Sequence, residues 1–282
     1  MRGLKITVIV GFVLSTILYA GVFVMNMRNH DSTIPIIINS TGLLELSVKD
    51  SDEKLLEGLA AVDKKDGDLT DQIMVAGISH LKKDGTCNVK YVVFDSDHNS
   101  DELTRKVQFT DYKEPVFSLK KPLVYRQGEN IDILERIRAK DSLDGDISDK
   151  IKIKSSDISN YQTGIYPVVL EVKNSFGVKS SIELQVVVQD NYNFNVEKKI
   201  QLSKYIVYIN QGKKFDPYDY IKSVQDGDSE VSDPDINIYG EVDTDTPGCY
   251  HLSYTLVTEN SYGMESETDG LAYLTVVVQE EK

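Results

Sequence analysis

Tryptophan is absent from the 282 residues, cysteine occurs twice and histidine four times. Without Trp there is no platform of stacked indoles for a glycan, a role left in part to the 16 Tyr. Two cysteines make no disulfide framework, and Cys87 and Cys249 fall in different repeats of the scheme below, so two free thiols are expected. His30, His80, His98 and His251 are scattered, and no HExxH or CxxC spacing marks a zinc site. Positive charge is also short: 31 basic residues face 45 acidic ones, for a net charge of -14. That balance excludes a nucleic-acid partner, whose phosphates call for a basic footprint. Gly-rich phosphate loops and Ser-centred elbows are missing too. So is any sustained helical period, apart from one short turn within 131–140, "IDILERIRAK".

One apolar run stands out. Ile6 to Met25 carries no charge over 20 residues, enough at about 1.5 Å per residue to cross about 30 Å of hydrocarbon. Arg2 and Lys5 precede it and only Arg28 follows closely, which keeps the N-terminus cytoplasmic. The alternative is a cleaved signal peptide with Leu18-Tyr19-Ala20 as its site. The run continues five residues past Ala20, which favours an uncleaved anchor. No cysteine ends the run, so a lipoprotein is not expected, and "VVVQEEK" carries no wall-sorting motif.

The rest is a repeat. "DKKDGD" at 63–68 recurs as "DSLDGD" at 141–146 and, with Ser223 in place of the first Asp, as "SVQDGD" at 223–228. The glycines Gly67, Gly145 and Gly227 are 78 and 82 residues apart, and a second glycine follows each at Gly85, Gly164 and Gly248. Beyond it apolar side chains alternate: Cys87, Val89, Tyr91, Val93; Tyr166, Val168, Leu170, Val172; Tyr250, Leu252, Tyr254, Leu256. Strict alternation marks a strand with one buried face. It places Cys87 inward and Cys249 on the other face of its strand. Three units of roughly 75–90 residues, rich in short strands, predict three antiparallel β-sandwiches in series. The expected parts are 1–28 (cytoplasmic stub and signal-anchor helix), 34–112, 115–190 and 192–282.

The pattern "QG…D-x-x-DGD…G-x-Y-x-V-x-x-x-V…V-x-V-x-D" is carried by "YRQGENIDILERIRAKDSLDGD" with "GIYPVVLEVKNSFG", and by "YINQGKKFDPYDYIKSVQDGD" with "GCYHLSYTLVTENSYG". It resembles the immunoglobulin-like repeats of bacterial surface proteins, including relatives of the hyalin repeat. The resemblance covers nearly all of 34–280. The first unit departs from it, lacking "QG" and having "DSDHN" where an Asn-Gly-like turn is usual. It implies an all-β chain of three tandem immunoglobulin-like domains behind a transmembrane helix. It also implies an exported, non-catalytic spacer, adhesin or binding module. The expected function is an outward-facing spacer or adhesive rod, with a protein or cell-surface glycan as ligand and the membrane engaged through residues 6–25. An accessory scaffold subunit of an envelope or secretion assembly is the alternative. An adhesin should carry an exposed aromatic patch on its outermost unit, for which "NIYGEVDTDTPGCYHLSY" and the insertion "ENSYGMESETDG" are the candidates; a scaffold subunit should show a partner-sized apolar edge lower down.

The acid clusters have several readings. Catalysis by paired carboxylates needs two acids across a cleft in different environments, whereas these share one loop and repeat three times. "DSDHNSDELTRK" (95–106) fails as a calcium hand at Ser100 and Lys106. The simplest role is a turn, with Asp accepting backbone N–H groups and Gly supplying positive φ. The other is calcium at the junctions, stiffening them as in cadherin-like rods. It would be held by Asp63, Asp66, Asp68, Asp111, Asp141, Asp144, Asp146, Asp190, Asp226 and Asp228. In that reading Asp111 and Glu114 approach the loop of the second unit, and Asp190 approaches that of the third.

Overall fold

The structure, a computed structural model, describes residues 2–29, 33–190, 198–232, 234–259 and 265–280. The chain divides into two compact bodies, residues 1–111 and 112–282. Helix α1 (Arg2–Asn29) contains the whole uncharged run. Among the described residues no helix is long and apolar enough to cross a membrane.

The first sandwich lies in the first body. It comprises β1 (Ile36–Asn39), β2 (Leu44–Leu46), β3 (Leu59–Asp63), β4 (Gly67–Asp68), β5 (Met74–Ile78), β6 (Thr86–Phe94) and β7 (Ser100–Phe109). One sheet runs β1-β3-β4 and the other β2-β7-β6-β5, with β2 parallel to β7. The second body repeats this arrangement twice. Its first copy has β8 (Val116–Leu119), β9 (Val124–Arg126), β10 (Ile137–Asp141), β11 (Gly145–Asp146), β12 (Lys152–Ser156), β13 (Gly164–Lys173) and β14 (Lys179–Gln189). Its second has β15 (Lys198–Leu202), β16 (Ile206–Asn210), β17 (Ile221–Asp226), β18 (Ser229–Glu230), β19 (Ile236–Tyr239), β20 (Gly248–Glu259) and β21 (Glu265–Gln279). Strand order is the same in all three sheet pairs. The short helical turn expected within 131–140 is α2 (Ile133–Arg136), capped by Asp132, whose carboxylate accepts the Glu135 N–H.

Alternation after each second glycine sets the core. Val89, Tyr91 and Val93 are fully buried and Cys87 nearly so; Val168, Leu170 and Val172 are buried, as are Leu252, Tyr254 and Leu256. Tyr166 and Tyr250 are half-buried at the rims of their cores. Both cysteines are free thiols, Cys87 buried and Cys249 half-buried.

Within the second body the outer face of the third sandwich closes onto the second. Ile206 joins the core cluster of the second sandwich, with Tyr208, Cys249 and Val277 packed against it. The Phe117 N–H on β8 donates to the Tyr208 hydroxyl at 2.8 Å. This is why Cys249, out of phase with its own core, is still half covered. Burial pushes the Tyr208 phenol up to about 12, so the hydroxyl stays neutral at any physiological pH.

Candidate functional site

The acid loops sit at one end of each sandwich. In the first, β3 ends at Asp63, whose Oδ1 accepts the N–H groups of Lys65 (2.7 Å) and Asp66 (3.0 Å) while Oδ2 takes the Thr33 hydroxyl. Strand β6 returns to the same end. There Asp66 receives the Ser96 N–H at 2.8 Å and the Ser96 hydroxyl at 2.9 Å, and Lys65 pairs with Asp97. The second sandwich repeats these bonds. Asp141 Oδ1 accepts from Leu143 (2.9 Å) and Asp144 (3.0 Å), and Asp144 holds the Ser175 N–H (2.7 Å) and hydroxyl (2.6 Å). Asp141 is 1% exposed, and its Oδ2 also accepts from Tyr112 Oη and Asn174 Nδ2. The third acid of each motif turns the chain into the next segment, Asp68 accepting from Thr70 and Asp146 from Ser148. Gly67 and Gly145 hold φ of +77° and +73°, the left-handed conformation glycine adopts freely.

These bonds fix the electrostatics. The Asp66 N–H, more than any other donor, keeps the Asp63 carboxyl below the usual range. Burial acts the other way on Asp144, yet the Ser175 hydroxyl and N–H together with the Lys150 ammonium outweigh it and leave its pKa lowered. Asp66 and Asp144 are thus fixed acceptors that tie the β3–β4 and β10–β11 turns to the hairpin opposite, while Asp63 holds its own turn. In the first sandwich that hairpin turn contains His98 at φ +69°, where the second has Gly177 at +89°. The histidine therefore holds a backbone conformation that its Cβ disfavours.

The third sandwich corrects the alignment of the motif. Asp226 pairs with Ser229 across the turn, where Asp63 pairs with Gly67 and Asp141 with Gly145. The next bond, Val231 N–H to Val224 O, matches Leu69 to Ala61 and Ile147 to Ala139. The counterpart of Asp63 and Asp141 is therefore Asp226, and the loop is one residue shorter. Ser223 lies back in β17, within reach of Gln201. The copied letters "DGD" hid a deletion that only the hydrogen-bond register reveals. Asp226 and Asp228 are exposed. The central part of the insertion, residues 260–264, lies outside the described residues.

Asp111 takes the Ser47 hydroxyl and Val48 N–H, both at 2.7 Å, within its own sandwich. Asp190 is half-buried just past β14. Among the described residues, no three of His, Cys, Asp and Glu are grouped as a metal ion would need.

Sequence reasoning missed Arg105. It is 2% exposed on β7, in phase with Val107, and donates to Glu57 O at 2.6 Å and Leu55 O at 2.5 Å, stacking 5.4 Å from the Tyr91 ring centroid. Its two carbonyl acceptors end the 3-10 turn at Asp52–Leu56, a partnership no spacing in the sequence announces. Also unannounced is an apolar outer face on the first sandwich. Ile36 and Ile38 of β1 are 59% and 49% exposed and Val62 of β3, opposite Ile36, is 43% exposed.

Comparison with known proteins bears on the third sandwich directly. Residues 203–269 match the family model described as bacterial surface protein, Ig-like domain. Over those residues the third repeat resembles the Ig-like domains of bacterial surface proteins. The other two sandwiches share its strand order, and so its Ig-like topology. A 135-residue stretch is 36% identical to the pesticidal crystal protein Cry22Aa of Bacillus thuringiensis; it covers 46% of this chain and 18% of that protein. Among solved structures, the M60 catalytic domain with its CBM51-1 and CBM51-2 domains from Clostridium perfringens ZmpB aligns at a TM-score of 0.28 and 13% identity. That alignment spans 88% of this chain and 43% of the other. The lipoprotein BT2262 of Bacteroides thetaiotaomicron aligns at 0.27 and 16%, over 58% and 80%.

Proposed function

We propose that this chain is a membrane-anchored, outward-facing, non-catalytic surface protein whose three Ig-like sandwiches serve as a spacer and binding arm. The observation that carries the anchor is helix α1. Its described apolar side chains, from Phe12 through Ile17, Leu18, Val22 and Phe23 to Met25, are uncovered on every side. A helix apolar all round needs a hydrocarbon solvent or a protein core, and these side chains have no core around them. The non-catalytic reading is supported by the acid loops, whose oxygens are held as turn acceptors in two successive copies. The Ig-like match and the stretch shared with part of a larger pesticidal crystal protein support a module appended to varied proteins. For ligand contact, Tyr218 and Tyr239 of the third sandwich are 57% and 45% exposed and offer aromatic surface to a protein or glycan.

The second reading, a scaffold subunit of an envelope assembly, is favoured by one observation. Exposed apolar side chains on β1 and β3 of the first sandwich, Ile36, Ile38 and Val62, support an apolar contact in that part of the chain. Topology is the first test for both. Protease added to intact, wall-stripped cells is expected to remove everything from about Asn29 onward. A protected chain, or one released into the medium beginning at Gly21, overturns the anchor.

A further inference from the structure

The outer face of β1 and β3 differs from its counterparts. The register aligns Ile36 with Val62 and Ile38 with Ala60; in the second sandwich the same four positions are Val116, Lys140, Ser118 and Arg138. In the third they are Lys199, Gln225, Gln201 and Ser223. One fold thus presents this face three times, polar or mixed in two copies and wholly apolar in the first. Core packing does not demand it, because the inward positions Ile37 and Ala61 supply that need at 7% and 0% exposure. Ile34 and Leu43, 59% and 43% exposed, add to the uncovered apolar surface of this sandwich. An uncovered apolar face confined to one copy of a repeat marks an interaction surface.

We infer that this face is where two copies of the chain meet, side by side in one membrane. Three observations select a second copy. First, these four positions bear no charge, so two chains of net charge -14 can meet there without burying a charge or setting like charges in contact. An acidic chain is also a poor match to an anionic lipid surface. Second, Ile36 lies seven residues beyond the end of α1, within about 25 Å of it along an extended chain. Two anchored copies therefore hold the face at the same height, and a two-fold axis along the membrane normal sets like against like. Third, a patch of a few side chains spans at most a few hundred Å², whereas stable interfaces bury about 1,200 Å² or more in total. The face is too small to hold soluble copies together and sufficient for copies already concentrated by a common membrane.

The inference rests on the anchor proposed above, and the test separates the two. Ile38→Cys is placed in the full chain and oxidised in membranes of wall-stripped cells, with fractionation of the same sample reporting anchoring. The wild-type chain, with Cys87 and Cys249, sets the background. Lys140→Cys, at the position equivalent to Val62, is the control. The disulfide-linked dimer is expected to exceed both by about tenfold, and to return to background when Ile36→Lys is added. That change installs the residue type of the third sandwich at an exposed site, so the fold is kept. A chain in the membrane fraction without the dimer overturns the inference and leaves the anchor standing. A link to a different protein overturns it in favour of the scaffold reading. A chain absent from the membrane fraction overturns both.

Discussion

At the residue scale the acids of this protein differ by what they hold. Asp141 is buried and serves donors from Leu143, Asp144, Tyr112 and Asn174. Removing it strands several polar groups inside the protein. Asp141→Ala is expected to lower the stability of the second body by about 3 kcal/mol or more. Asp146, exposed and bonded only to Ser148, does less. Asp146→Ala should lower stability clearly less, because an exposed turn acceptor is replaced by water when it is removed. Urea unfolding of the two variants measures the difference; equal losses mean that burial does not set the rank.

At the element scale, strand β13 separates two faces. Leu170 is fully buried and Val169 half-buried on the opposite face. Leu170→Asp is expected to unfold the second sandwich, since an unpaired charge in a core costs several kcal/mol. Val169→Asp should leave it folded, by circular dichroism and thermal melting. Strand β16 makes a different kind of link, because Tyr208 gives the β8 edge an acceptor in the neighbouring sandwich. Tyr208→Phe leaves the Phe117 N–H without it. A loss of about 1–2 kcal/mol is expected, felt by both sandwiches of the second body and not by the first. Hydrogen exchange resolved by segment reads this, and an effect confined to the third sandwich shows that the contact does not couple the two.

For the whole molecule the question is whether calcium matters to it. Both oxygens of Asp66 and of Asp144 are occupied by serine donors, and no ligand group of three is gathered among the described residues. Calcium takes six to eight oxygens. The melting temperature of the intact chain in detergent is therefore expected to be the same in millimolar calcium and in chelator. A rise with calcium, lost on chelation, restores the junction sites that the acid clusters suggest.

The repeat, the sandwich, the inward phase of β6, β13 and β20 and the turn role of the acids were all legible in the residues. They depend on local rules: a two-residue strand period, glycine at positive φ and carboxylates beside free N–H groups. Three matters were decided only by tertiary structure. The one-residue deletion before Val231 shows in hydrogen-bond register because identical letters can align with a gap. Arg105 is buried because carbonyls from a distant 3-10 turn meet it, and side chains cannot announce acceptors supplied by main chain elsewhere. The apolar face on the first sandwich emerges only once β1 is paired with β3. Pairing selects which alternate residues share a face, and a strand four residues long is too short to announce its inner side.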